Sequence, residues 1–174
     1  AAASYSELAA VAQQLGARIL FEGWPGGGLH PHLVCNPETC RAILRDVGLP
    51  SLGINYDPSH LIRMGIDCVR FVEEFGPSIG HVHAKDTEII EEARYEYGLY
   101  QPSVFTKGHG FGAHVWRYTI PGHGCARWTR IFQALQKAGF SGIVSVELED
   151  ENFNGTAAGE QAGLKASLEF LRSA

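Results

Sequence analysis

An α/β fold of the (β/α)8-barrel type, holding only about four β-α units, is what this sequence predicts, and three observations carry the prediction. Short apolar runs rich in β-branched residues alternate with stretches whose apolar residues recur at helical spacing, the pattern of parallel strands joined by helices. Four of these runs end on a side chain able to bind a metal: Glu22 after Arg-Ile-Leu-Phe, Asp57 after Leu-Gly-Ile-Asn-Tyr, His83 within Ile-Gly-His-Val-His, and Glu147 after Ile-Val-Ser-Val. The length of 174 residues is well short of the roughly 250 that eight units need.

The first helix is expected over residues 6–15, with Leu8, Val11, Ala12 and Leu15 on one face, Ser4 or Ser6 as its cap and Gly16 ending it. A strand over 17–22 follows, then a loop rich in Gly, Pro and His. The second helix starts after Asn36 with Pro37 in its first position and carries Cys40, Ile43, Leu44 and Val47 before Gly48. The second strand is placed at 52–57, and a helix holding Cys68, Val69, Phe71, Val72 and Phe75 leads to a third strand at 78–84. Between 86 and 124 the periodicity breaks into a long insertion, Gly-, aromatic- and His-rich towards its end, with room for a short helix within 87–97. A segment of that length is usually a lid or a binding loop. Helical spacing resumes at 128–138, the fourth strand is 143–147, and the closing helix is 160–171. The whole of 1–174 then reads as one partial domain. With the helical start, the strand count predicts a fragment, or a chain whose barrel a second chain completes; a homo-oligomer is the other form expected.

Composition narrows the function classes. A net charge of −5 without a Lys/Arg cluster argues against a nucleic-acid partner. No apolar stretch approaches the roughly 18 residues of a membrane span. The N-terminus has no charged n-region, and the four cysteines (Cys35, Cys40, Cys68, Cys125) form neither a C-x-x-C pair nor a dense framework. A cytoplasmic chain with reduced thiols is expected.

Three carboxylates and one imidazole released at one edge of a parallel sheet make an oxygen-rich divalent-metal site with room for a substrate. In Asp57-Pro-Ser-His60 the carboxylate either binds the metal or caps a helix, and His60 turns back to hydrogen-bond a substrate oxygen. Of His81 and His83 only the latter is expected in the pocket, with His81 directed to the opposite face. Lys85 either reaches the pocket mouth or is solvated or paired with Asp86. Glu147 is preferred to Glu149 as ligand, and Glu149, Asp150 and Glu151 read as a solvated loop. Glu22 between Phe21 and Gly23 is costly to bury without a partner, and a metal would remove that cost. Gly26-Gly27-Gly28 lacks the context of a phosphate loop. His30, His32, His109, His114 and His123, scattered in loops, read mostly as surface groups or as groups supporting the site from behind. Arg117, between Trp116 and Tyr118, either binds a substrate oxygen or stacks on those aromatics.

Together, Leu-Phe-Glu22, Asp57-Pro-Ser-His60, His81-Val-His83-Ala-Lys85-Asp86, Ile-Pro-Gly-His-Gly and Gly142-Ile-Val-Ser-Val-Glu147 resemble the sugar phosphate isomerase/epimerase family. This is the xylose isomerase-like TIM-barrel group that includes ketose 3-epimerases and inosose dehydratases. The match corresponds to the C-terminal half of the barrel. The resemblance implies one divalent metal held by Glu22, Asp57, His83 and Glu147. Manganese comes first, with magnesium, cobalt or zinc as alternatives. It implies that Glu22 and Glu147 are the catalytic acid and base, with His60 and an arginine, loosely Arg117, binding substrate oxygens. The insertion is similar to that of C-glycoside deglycosidase-type relatives. Where the family has an acidic stretch ending Asp-Trp, this chain reads Cys125-Ala-Arg-Trp128.

The function expected is a metal-dependent sugar isomerase or epimerase acting by proton abstraction next to a carbonyl through an enediolate. A lyase or C-glycoside deglycosidase acting on keto-glycosides, and a non-catalytic sugar-binding subunit, are the alternatives. An apurinic endonuclease on the same barrel is disfavoured by the acidic balance.

Overall fold

The computed structural model describes residues 1–26, 32–100 and 102–174. Gly27, Gly28 and His30 therefore lie outside the described residues. The elements run α1 (Ala2–Gln14), β1 (Ile19–Glu22), α2 (Pro37–Val47), β2 (Leu52–Tyr56), α3 (Pro58–Arg63), α4 (Cys68–Phe75), β3 (Ile79–Ala84), β4 (Asp86–Ile89), α5 (Glu91–Tyr97), β5 (Trp116–Thr119), α6 (Trp128–Lys137), β6 (Ile143–Val146) and α7 (Ala157–Ser173). Among the described residues β1, β2, β3 and β6 form one all-parallel sheet in that order, and β4 and β5 a separate antiparallel pair. The predicted α/β partial barrel is thus the observed one.

Alternation along each strand separates two faces. The outward set Phe21, Ile54, Tyr56, Val82 and Ala84 is buried against the helices. The inward set Glu22, Asn55, His81, His83 and Ser145 is only partly covered. Gly53 and Gly80 belong to the inner side: a Cβ at either would meet the Arg18 guanidinium within 2.8 Å, so glycine leaves room for that side chain at the bottom of the sheet.

Local signals explain most boundaries. Asn36 and Thr39 form a reciprocal capping box at the start of α2, and Gly48 at φ 64° closes it. Asp67 caps α4 by accepting from the Val69 and Arg70 amides, and Thr156 caps α7. α3 is the helix that the cap reading of Asp57 allowed, although its six residues offer too little periodicity to read its bounds. α1 begins at Ala2, so Ser4 and Ser6 lie inside it rather than capping it, and the Ser6 hydroxyl donates to the Ala2 carbonyl. Its expected apolar face is also corrected: Ala9 and Ala12 are buried, whereas Leu8, Val11 and Leu15 are exposed.

The 86–124 insertion is not a free lid. β4 and β5 pair Asp86 with Thr119, Thr87 with Tyr118, Glu88 with Arg117 and Ile89 with Trp116. Two buried carboxylates pin this hairpin down. Asp86 accepts from the Thr87, Gly122 and Ala126 amides and the Trp128 indole. Asp150 accepts from the Thr119 hydroxyl at 2.6 Å and the Ile120 amide at 3.1 Å.

Candidate metal centre

Glu22 and Asp57 immediately follow or end β1 and β2, His83 lies near the end of β3, and Glu147 follows β6. Parallel pairing in register delivers these side chains to one place, and their ligand atoms all lie within 4.8 Å of one another. The four expected metal ligands are therefore brought together. Two of them, Glu22 and Glu147, line an open cavity of about 450 Å3 together with Trp24, His32, His60, Lys85 and Glu149. A groove of about 510 Å3 between α4 and α6 lies outside the barrel and gathers no such group.

The cap reading of Asp57 is met on one oxygen, and the other oxygen is left facing the cluster. Oδ1 accepts from the Ser59 amide at 2.8 Å and starts α3. Oδ2 is buried and accepts no hydrogen bond of normal geometry, although Lys85 Nζ lies 3.3 Å away and His60 Nε2 3.4 Å away. A buried carboxylate oxygen left without a hydrogen bond is what a cation would occupy. With two glutamates and an imidazole beside it, the donor set fits a hard or borderline divalent ion.

The protonation states follow from the same contacts. Hydrogen bonding to Glu147 and then Glu22 outweighs burial and raises the His83 imidazole to about 10. The hydrogen bond from His83, helped by Lys85, lowers Glu147 to about 2 against the effect of burial. At Glu22 burial pushes the carboxyl up, but the hydrogen bonds and charge of His60 and His83 together hold it well below the usual carboxylate range. Burial pushes Asp57 up, against the pull of His60 and Lys85.

Lys85 is only 2% exposed and resolves its open readings: Nζ lies 2.8 Å from both Glu147 Oε2 and Glu149 Oε2, and it does not pair with Asp86. Its partners hold it charged. His60 lines the cavity, with Nε2 3.0 Å from Glu22 Oε1.

Several expectations need correction. His81 does not turn away from His83: residues two apart on a strand share a face, and their rings lie 5.4 Å apart. Glu149, Asp150 and Glu151 are not a solvated loop, because Glu149 pairs with Lys85, Asp150 is fully buried, and Glu151 binds His109, the Gly110 amide and Arg117. His32 is exposed, as expected, and packs edge-on to Trp24 at the cavity wall. Arg117 is not brought to the cavity. Its guanidinium is committed to Glu88 at 2.7 Å and Glu151 at 3.0 Å. The arginine stacked on the aromatics is Arg63, whose guanidinium carbon lies 4.5 Å from the Trp116 ring centroid. Within the insertion Tyr95, Tyr100 and Phe105 are 85%, 92% and 97% exposed, whereas Tyr118 reaches His60.

Residues missed in the sequence divide by range. Asn55, which donates to Glu22 at 3.1 Å, was recoverable from its parity with Asp57. Arg63 and Tyr118, 55 residues apart, carry no local signal of their meeting.

A parallel β-α half barrel with carboxylates and an imidazole gathered at its carboxyl strand ends defines a barrel-type protein with a candidate metal centre. The chain belongs to the xylose isomerase-like TIM barrel family, whose pattern matches residues 1–174. It is 34% identical over 142 residues to YfiH of Bacillus subtilis, a protein described as uncharacterized, covering 80% of this chain and 42% of that one. It is 31% identical over 98 residues to an inosose dehydratase of Bacillus licheniformis, covering 55% of this chain and 30% of that one. Among solved structures, the IolI protein with a bound zinc atom superposes with a TM-score of 0.69 at 23% identity, covering 99% of this chain and 55% of that chain. D-psicose 3-epimerase, solved in the presence of D-fructose, gives 0.67 at 18%, covering 99% and 54%. This chain therefore spans about half the length, or less, of each of these proteins. No helix among the described residues is long and apolar enough to cross a membrane.

Proposed function

We propose that this chain carries the metal-binding and proton-transfer part of a divalent-metal-dependent sugar isomerase or epimerase. The observation that carries the reading is the convergence of Glu22, Asp57, His83 and Glu147 within 4.8 Å. Those four residues would hold the cation, manganese before magnesium, cobalt or zinc, because three of the four donors are carboxylates. When bound, the cation supplies Lewis-acid charge beside a substrate carbonyl.

The remaining chemistry belongs to side chains. Glu22 and Glu147 come from the first and last strands of the four-stranded sheet, so they approach the cavity from opposite sides. Both are held ionised, as a base requires. One removes the proton next to the carbonyl and the other returns a proton to the opposite face or the adjacent carbon, through an enediolate. Asn55 and His60 orient Glu22 by hydrogen bonds, and Lys85 orients Glu147. The Nε2 of His60 and the Lys85 ammonium are the groups able to meet substrate oxygens. The ligand is a soluble sugar or keto-glycoside in the cytoplasm, with no nucleic-acid or membrane partner.

The inosose dehydratase relative favours a second reading, in which the same enediolate expels a β-substituent and the enzyme is a lyase. One experiment tests both: metal analysis, then incubation with keto-sugars and keto-glycosides in D2O followed by NMR. Deuterium incorporation with epimerised product supports the first reading, and loss of water or aglycone supports the second. Glu147→Gln should slow either reaction by roughly 10^2–10^4-fold, the usual contribution of a positioned acid or base. Absence of metal, or full activity in Glu147→Gln, sinks the proposal.

A further inference from the structure

The hydrogen bonds around His60 run in one direction, and that direction is set outside the metal centre. The Nε2 of His60 faces Glu22 Oε1 at 3.0 Å and Asp57 Oδ2 at 3.4 Å. Ionised carboxylates only accept, so Nε2 carries a proton. The Nδ1 faces the Tyr118 hydroxyl at 2.7 Å. That hydroxyl already accepts from Arg63 Nη1 at 2.8 Å, and a guanidinium only donates. In the neutral ring, whose one proton is on Nε2, Nδ1 can only accept, and the phenolic proton goes to it. The sequence of donors reads Arg63 to Tyr118, Tyr118 to His60, His60 to Glu22.

Each member is fixed by independent contacts. Arg63 stacks on Trp116 and donates to the Gly26 carbonyl. The Tyr118 ring packs on Trp116 at 5.0 Å and lies 4.5 Å below the Lys85 ammonium. Thr87, the cross-strand partner of Tyr118, donates its hydroxyl to the Ser59 carbonyl at 2.8 Å, anchoring the hairpin to α3 one residue before His60.

We propose that Tyr118 and Arg63 are positioning residues that hold His60 as the Nε2–H tautomer, presenting a single N–H to Glu22 and to the substrate oxygen that enters beside it. The β4–β5 hairpin is then a device for delivering Tyr118. The proposal rests on the role given to His60 above, and its test separates the two.

Histidine nitrogens labelled with 15N are observed in the metal-free and Mg2+-loaded protein, wild type and Tyr118→Phe, a change that removes one oxygen and keeps the ring. The expected wild-type pattern is a protonated Nε2 and a hydrogen-bonded, unprotonated Nδ1, with the Nδ1 resonance moving to the value of a free acceptor, or the tautomer changing, in Tyr118→Phe. Arg63→Met should disturb the same resonance and Arg63→Lys restore part of it. On a turned-over keto-sugar, Tyr118→Phe should lower kcat/KM about tenfold, the scale of one hydrogen bond. The double variant His60→Ala/Tyr118→Phe should be no slower than His60→Ala alone, because a positioning residue has nothing left to position. Unchanged 15N resonances, or losses that multiply in the double variant, overturn the proposal. A protein with the expected nitrogen shifts but inert on every keto-sugar overturns the function above and leaves the positioning supported.

Discussion

The imidazole of His83 lies 3.1 Å from Glu147 and 3.4 Å from Glu22, contacts that suit a protonated ring, whereas a metal ligand must be neutral. A cation held by His83 would therefore displace its proton, and affinity should rise with pH up to about 10, the value to which the ring is raised from 6.5. The linkage also sets the stability of the metal-free protein. The His83 value is raised, so its contribution is fully present below 6.5 and is lost as pH rises through about 10. The Glu147 value is lowered from 4.5 to about 2, so its contribution is present above 4.5 and is lost as pH falls through about 2. Thermal melts with EDTA should then show Tm falling from pH 6.5 towards 10 by more than in His83→Asn, and Mn2+ should reverse the trend. Equal slopes in the two proteins would reject the assignment. At this scale the sequence was informative where a side chain closes an apolar run, because the pleat and parallel register dictate its destination. It misled where parity was misapplied to His81, and where Arg117 was weighed without Glu88 and Glu151, which lie 29 and 34 residues away from it.

The β4–β5 hairpin packs on α3, and its attachment decides whether Tyr118 reaches His60. Asp150 is fully buried and joins the β6–α7 loop to the hairpin through Thr119 and Ile120. Asp150→Ala leaves a buried hydroxyl and amide without their acceptor. It should destabilise the protein by about 1–3 kcal/mol, read by urea denaturation, with faster hydrogen exchange at residues 116–120. Arg117→Ala breaks two partly exposed ion pairs and should cost no more than about 1 kcal/mol. If the order of the two variants is reversed, the hairpin is held by the guanidinium and not by the buried carboxylate. Legibility differed among elements for physical reasons. α2, α4 and α6 combine apolar stripes with caps or a sharp closing turn, so they were readable. The hairpin strands are four residues each, and their connection contains a helix, so neither alternation nor a short turn announced the pairing.

At the scale of the molecule, among the described residues the sheet ends at β1 on one side and β6 on the other, each paired along one edge only. Apolar side chains are exposed at these borders: Ile143 and Val144 on β6, Leu164 and Leu168 on α7, and Leu8, Val11 and Leu15 on α1. An open strand edge flanked by exposed leucines invites pairing with another chain. Counting four apolar runs predicted this incompleteness, whereas what covers the edges is not written in the runs themselves. The 174-residue, 18.9 kDa chain taken alone should therefore not form a closed barrel. Its sedimentation should shift with concentration, and its exposed edges should bind a hydrophobic dye. A polypeptide that supplies the four remaining parallel strands of an eight-stranded closure should suppress both effects and tighten Mn2+ binding, because the walls beside Glu22 and Glu147 would then be covered. Monodisperse 18.9 kDa monomer that binds Mn2+ tightly and turns over a sugar with no second chain would contradict the half-barrel reading.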